Sequence, residues 1–231
     1  MTRPWSVLER VETSDGTLEL RRRGERDFLI LLGGRVLMNA AAHRSEQQLA
    51  SEVCARLHAH ASPHVLIGGL GMGFTLRAAL AALPAGARVR VAELHSCVVD
   101  WCRGVLGPLT SHAVLDPRVE IEIGDVAVAI RRAAASGGSQ RFDAILLDLY
   151  TGPGPVAGGA ERCYEAGMLA ATRAALAAGG SYAVWSERPD PAFERRLRAA
   201  GFVAARSRPG RGGLRHAVYT AQPVRDGGAP G

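Results

Sequence analysis

The spacing of apolar and polar residues changes character near residue 44. Across residues 5–38 apolar residues fall in short runs separated by strong turn signals: Ser14-Asp15-Gly16, Arg23-Gly24-Glu25, and Gly33-Gly34 between Phe28-Leu29-Ile30-Leu31-Leu32 and Val36-Leu37-Met38. Aspartate-glycine and glycine-glycine pairs supply the positive φ of hairpin turns, so this segment predicts a small antiparallel β-subdomain. Ser45 followed by Gln48 has the form of a capping box, after which Leu49, Val53, Ala55 and Leu57 line one face of a helix ending near His58. From Val65 onward strands alternate with helices, expected at 74–83, 96–106, 126–135, 164–177 and 191–200. That alternation predicts a mostly parallel sheet with helices on both faces. Phe202 to Arg206 and His216 to Thr220 flank a glycine-arginine loop and read as an antiparallel pair at the sheet edge.

One stretch carries most of the chemistry. From Val65 to Arg77 an apolar strand breaks into four glycines within six residues and then resumes with helical spacing. Glycine at Gly69, Gly71 and Gly73 permits positive φ and removes the Cβ that keeps a backbone away from a ligand, so a nucleotide-like molecule can lie across the turn. The following strand, Arg88 to Ala92, ends in Glu93, twenty-two residues after Gly71. At that distance an acidic side chain reaches ribose hydroxyls. Two more acids close later strands: Asp125 after Val119 to Gly124, and Asp148 after Ala144 to Leu147. Ligands in open α/β sheets bind at the carboxyl ends of strands, so these four strand ends face one crevice. Asp125 taken alone fits a helix N-cap equally well. Trp185-Ser186-Glu187 ends the next strand on the same side, which makes Glu187 a candidate ligand contact, though a solvated loop residue fits it at least as well.

Composition narrows the function classes. All 28 basic residues are arginine and the net charge is +6, but only Arg21-Arg22-Arg23 forms a run and no aromatic-interleaved stripe appears. That pattern is a solvated basic surface, and no nucleic-acid partner is expected. No run approaches the roughly 18 apolar residues of a membrane span, and the amino terminus lacks the apolar segment of a signal peptide, so a cytoplasmic protein without a membrane partner is expected. Cys54, Cys97, Cys102 and Cys163 have no short paired spacing suited to zinc, so no metal is expected and the thiols read as reduced and mostly packed.

The hairpins, the capped helix, the Gly68 to Gly73 loop, Glu93, Gly124-Asp125, and Leu147-Asp148 followed by Gly152-Pro153 together resemble the spermidine synthase family. The resemblance covers roughly residues 5–221. It implies an α/β chain in which a small N-terminal β-subdomain, residues 1–43, precedes a Rossmann-like class I methyltransferase fold over 44–222, with 223–231 as a mobile tail. It also implies a homodimer and an S-adenosylmethionine-type donor, carried by Gly69, Gly71, Met72, Gly73 and Val126. Glu93 would hold the ribose, Asp125 the adenine amine, and Asp148 would face an attacking amine, with Tyr150 beside it and Thr151 and Glu187 toward the acceptor. Elementary chemistry agrees with these roles: a glutamate accepts from two vicinal hydroxyls, and a carboxylate holds an ammonium and takes its proton.

Two positions depart from the family pattern. Where aminopropyltransferases carry a glycine-loop aspartate that grips the free amine of decarboxylated S-adenosylmethionine, this chain has Met72, and where a second aspartate follows the catalytic one, it has Thr151. Both changes remove negative charge where a polyamine system needs it. They favour methyl transfer from S-adenosylmethionine to a small amine or related nucleophile, with aminopropyl transfer from the decarboxylated donor, as in a true polyamine aminopropyltransferase, as the alternative. A non-catalytic nucleoside-binding homologue is a third reading, which Asp148 disfavours. Asp148-Leu149-Tyr150-Thr151 also lacks the Asn/Asp-Pro-Pro-aromatic pattern used on flipped bases.

Overall fold

The structure, a computed structural model, describes residues 3–150, 152–153, 160–209 and 216–224. Four strands, β1 (Ser6–Thr13), β2 (Gly16–Arg23), β3 (Asp27–Leu32) and β4 (Arg35–Asn39), form an antiparallel sheet in sequence order, each turn falling on one of the three turn signals. Then follow α1 (Arg44–Cys54), β5 (His64–Gly68), α2 (Phe74–Ala82), β6 (Arg88–Glu93), α3 (Ser96–Arg103), β7 (Val119–Ile123), α4 (Val126–Ala135), β8 (Phe142–Leu147), α5 (Ala166–Ala175), β9 (Leu176–Ser186), α6 (Pro191–Ala199), β10 (Phe202–Ser207) and β11 (Ala217–Pro223). Seven strands assemble in the order β10-β11-β9-β8-β5-β6-β7. The first five in the chain pair in parallel; β11 runs antiparallel to both β9 and β10.

The order reverses at β5, whose neighbours are β6 on one side and β8 on the other. A reversal of this kind opens a crevice at the carboxyl ends of the two central strands. Two apolar clusters cover the sheet. One gathers Leu49 and Val53 of α1, Leu76 of α2 and Val98 of α3, and continues without a break into Leu18, Leu20, Phe28 and Ile30 of the antiparallel sheet. The other packs α4, α5 and α6 around Ile130, Leu169 and Phe193. The small sheet is therefore built onto the core of the large one, and its inner face ends beside the crevice.

Several local readings need correction. Ser45 does not cap α1: the N-cap is His43, without a side-chain cap bond, and Ser45 lies buried inside the first turn, where its hydroxyl serves other partners. The helix ends at Cys54 and a 3-10 turn, Ala55–Leu57, follows, leaving Ala55 exposed and Leu57 buried. α3 stops at Arg103, before Gly104. α5 begins at Ala166, after a separate 3-10 turn over Ala160–Tyr164. His216 precedes β11, an interior strand, and is not on the sheet edge; that edge is β10. Order persists past the expected start of the tail, since Pro223 ends β11 and the Val224 N–H donates to Gly201 O at 2.8 Å.

Arg118 fixes the far end of the helix that starts at the glycine loop. Its guanidinium grips both carboxylate oxygens of Asp116 at 2.9 Å and donates to the Leu80, Leu83 and Pro84 carbonyls at the end of α2. A cation on orphan helix carbonyls satisfies acceptors and opposes the negative helix end. Arg118→Ala is expected to cost about 1–3 kcal/mol, the range for hydrogen bonds to a charged group, read as a lower urea midpoint at unchanged m-value.

Candidate active site

The glycine loop takes the conformation that its residues permit. Gly69, Gly71 and Gly73 have φ of +86°, +52° and +82°. Space demands glycine at two of them: a Cβ on Gly69 would lie 2.5 Å from the Asp148 carbonyl oxygen, and one on Gly71 would run into the Met38 sulfur of β4. The strand ends are thereby pulled close, with the Asp148 N–H donating to Gly68 O and the Gly69 N–H to Ala92 O, both at 2.9 Å.

A cavity of about 260 Å³ opens over this junction, at the small end of ligand-binding cavities, which run to about 300–1,000 Å³. Gly69 and Gly71, Glu93, Asp125 with Val126, Asp148 and Tyr150 all line it. Glu93 is 6 % exposed and its two oxygens are both engaged, Oε2 accepting from the Leu70 N–H at 2.7 Å and Oε1 from the His95 N–H at 2.9 Å. Each carboxylate oxygen keeps a second lone-pair direction for a ligand hydroxyl. Asp125 does two things at once: Oδ1 caps α4 through the Ala127 N–H at 2.8 Å, and the residue remains exposed on the cavity wall.

Met72 and Glu187 are not brought to the cavity. Met72 is fully buried among core side chains, between Gly71, which lines the cavity, and Gly73, which caps α2. Its thioether is packing and does not line the ligand space. Gly73 is the N-cap of α2 and does not line the cavity either; a Cβ there would face Thr110. Glu187 is drawn off by Arg35 of β4, at 2.8 Å, and ties the two sheets together outside the cavity. Thr151 lies outside the described residues.

Three charged lining groups do not follow from the sequence pattern alone. Asp15 was assigned only to a turn, yet the β1–β2 turn carries it over the cavity, its Oδ2 3.6 Å from His95 Nε2. Arg162 stands on the 3-10 turn before α5. Most consequential is Glu46, 6 % exposed on the buried face of α1 and facing the same space as Asp148. Its signal was present: Glu46, Leu49, Ala50 and Val53 stand at i, i+3, i+4 and i+7, so a lone acid occupies an otherwise apolar helical stripe.

Asp148 lies where burial and a like charge act together. Thr75 Oγ1 donates to its Oδ2. Burial first, and then the Glu46 charge, push its carboxyl up from the usual 3.8 to about 7, against the lowering effect of the Thr75 hydroxyl. Tyr150, half-buried beside it in sequence, is also raised, by burial and by the charges of Asp15 and Glu93. The thiols are inert by comparison: burial pushes Cys54 and Cys102 up to about 12 and Cys163 to about 11, and all four cysteines are free. Among the described residues no three His, Cys, Asp or Glu side chains are grouped to hold a metal, and no helix is long and apolar enough to cross a membrane.

No protein-family model and no curated protein sequence matches the chain. Solved structures do. The spermidine synthase from Thermotoga maritima superposes with a TM-score of 0.69 at 21 % identity, over 93 % of this chain and 72 % of that one. A spermidine synthase in complex with the transition-state analogue AdoDATO gives 0.68 at 19 %, over 93 % and 71 %. The fold is spermidine synthase-like. It is also of the Rossmann-like methyltransferase type, since human methyltransferase-like protein 13 in complex with SAH matches with a TM-score of 0.60 at 16 % identity, over 81 % of this chain and 82 % of that one. Within this spermidine synthase-like fold the small antiparallel sheet and the seven-stranded sheet occur in the order expected from the sequence.

A raised carboxyl has a stability consequence. Between pH 3.8 and about 7 the folded chain holds a proton on Asp148 that the unfolded chain releases. Asp148 therefore contributes stability that is complete below pH 3.8 and is lost as pH rises through about 7. Asp148→Asn is expected to flatten the decline in melting temperature between pH 5 and 8 and to raise it at pH 8, read by thermal denaturation across that range. An identical slope in both proteins would show that the carboxyl titrates normally.

Proposed function

We propose that the chain is a transferase that binds an S-adenosylmethionine-type donor and alkylates a small amine. The observation that carries the reading is the convergence on one cavity of a glycine loop with Cβ-free faces, a strand-end glutamate, a helix-capping aspartate and a proton-retaining aspartate. The neighbours' ligands support the donor class: one spermidine synthase holds AdoDATO, and the human methyltransferase-like protein holds SAH.

The roles follow from the chemistry of each group. Gly69 and Gly71 let the donor lie against bare backbone, Glu93 accepts from the ribose hydroxyls, and Asp125 accepts from the adenine amine with the oxygen its cap leaves free. The donor supplies a carbon on positively charged sulfur: the acceptor nitrogen bonds to that carbon as the carbon–sulfur bond breaks, and sulfur leaves as a neutral thioether. Little is asked of the protein beyond alignment and an unprotonated nucleophile. Asp148 receives the ammonium and takes its proton, a task suited to a carboxyl that titrates near neutrality. Acids dominate the cavity, with Asp15, Glu46, Glu93, Asp125 and Asp148 against Arg162, and this field attracts a cationic acceptor.

Methyl transfer is favoured over aminopropyl transfer because residues 68–73 carry no acidic side chain to neutralise the free ammonium of the decarboxylated donor. Titration calorimetry with S-adenosylmethionine, its decarboxylated form and methylthioadenosine tests this. S-adenosylmethionine is expected to bind at least as tightly as the decarboxylated donor, and exclusive binding of the latter reverses the preference.

Glu93→Ala is expected to weaken donor or methylthioadenosine binding by about 2–3 kcal/mol. Part of that loss is loop ordering, because the same carboxylate holds the Leu70 amide, so circular dichroism and melting accompany the calorimetry. Unchanged affinity in a folded variant removes Glu93 from the site. Asp148→Asn keeps the shape and loses the charge, so donor affinity is expected to stay nearly constant while turnover of an active amine falls roughly 10²- to 10⁴-fold. Amine pools screened for release of S-adenosylhomocysteine or methylthioadenosine supply the acceptor and identify the group transferred.

A further inference from the structure

Asp148 is not alone at the inner end of the cavity. Glu46 reaches it from α1, across the core from β8, and is itself held in place. Ser45 Oγ donates to Glu46 Oε2 at 2.6 Å, and the same oxygen lies 3.0 Å from His216 Nδ1. With the serine proton committed to the carboxylate, the histidine must donate through Nδ1, and the His216 ring packs edge-on against Trp185 with centroids 5.0 Å apart. Thr75 closes the other side, donating to Asp148 and lying 3.4 Å from the Glu46 carbonyl oxygen. Facing Asp148 from the α5 side is Tyr164, whose phenol burial keeps protonated. Among the described residues no arginine pairs with Glu46 or Asp148, although arginine pairs with Glu19, Asp27, Asp116, Glu120, Glu122 and Glu187.

Two acids lining one cavity, each held by a hydroxyl and neither, among the described residues, by a cation, form a site for a cation from outside. We propose that Glu46 and Asp148 act as one two-carboxylate unit that binds the acceptor as a primary ammonium and keeps the proton it gives up. In that step an N–H bond of the ammonium breaks and an O–H bond forms on Asp148. The ammonium becomes a neutral amine while the pair passes from two negative charges to one, so total charge is conserved. Glu46 is thereby a catalytic residue, whose charge adds to burial in raising the Asp148 carboxyl, and Ser45 and His216 are positioning residues that aim it. The inference rests on the transferase reading for its acceptor, but its test uses no donor.

Carboxyl carbon NMR on the full chain labelled at aspartate and glutamate follows Asp148 directly, the resonance being assigned by its loss in Asp148→Asn. A midpoint near 7 is expected in the wild type. Glu46→Gln is expected to lower that midpoint by about one pH unit or more, since a neighbouring like charge is removed. Glu46→Asp, which keeps the charge, is expected to hold it high, and it guards against a Glu46→Gln protein that fails to fold. An Asp148 midpoint indifferent to the Glu46 charge overturns the pair and leaves Glu46 as a structural acid. Calorimetry with n-butylammonium at pH 8 reads the binding half: wild-type binding that weakens tenfold or more in Glu46→Gln supports it, and equal binding, or no wild-type binding at millimolar concentration, overturns it. Neither measurement involves Glu93 or the nucleoside, so a failure here leaves the donor site standing, and a failure of the donor site leaves this pair to be judged alone.

Discussion

The Glu93 carboxylate is the hinge on which the site depends. It ends β6, yet one oxygen reaches back to the Leu70 amide in the glycine loop and the other takes the amide of His95 two residues on. A glycine-rich turn has more conformations to lose than any other sequence, and a charge-assisted bond to a buried amide selects one of them. Once Leu70 is fixed, Gly69 is pressed against the Asp148 carbonyl and Gly71 against Met38, so the end of β8 and the roof from β4 are placed by the same contact. The group expected to hold a ribose thus already shapes the surface on which the ribose would lie.

The cavity is finished by the small sheet, and this coupling explains what that sheet contributes. Leu18, Ile30, Leu37 and Met38 line the space from above while Leu18 and Ile30 remain part of the apolar cluster that includes α1. The bond from Trp101 Nε1 to Glu9 Oε2 at 2.7 Å and the Arg35–Glu187 pair fasten β1 and β4 to α3 and to the residue after β9. A roof held by core packing and polar clips helps bury Glu46 and Glu93, each 6 % exposed, and burial strengthens the charge interactions they make.

Much of this was legible in the sequence because it depends on backbone periodicity. α4 occupies Val126–Ala135 and β6 runs to Glu93, as read, since apolar alternation and helical spacing are local properties. The rule that ligands gather at strand carboxyl ends grouped Gly69, Gly71, Glu93, Asp125 and Asp148, and the resemblance added Val126 and Tyr150; all of these line one cavity. What failed was side-chain direction. In a loop of alternating glycines, spacing does not say whether Met72 looks toward ligand or core, and here it packs in the core. Glu187 was captured by Arg35, and Ser45 by His216, partners 152 and 171 residues away in the chain that no local pattern announces.

Glu46 shows where local and global preferences conflict, and why the conflict is informative. A carboxylate on the buried stripe of a helix opposes hydrophobic patterning, and a second carboxylate beside it raises the cost of keeping both charged. Among the described residues no arginine neutralises either acid, although the chain has 28 arginines. An internal cation would stabilise the fold and fill the site with a permanent partner. Leaving the two acids to a serine and a threonine keeps the charge available, and the stability given up in the unliganded chain would be recovered on binding the cationic ligand proposed above.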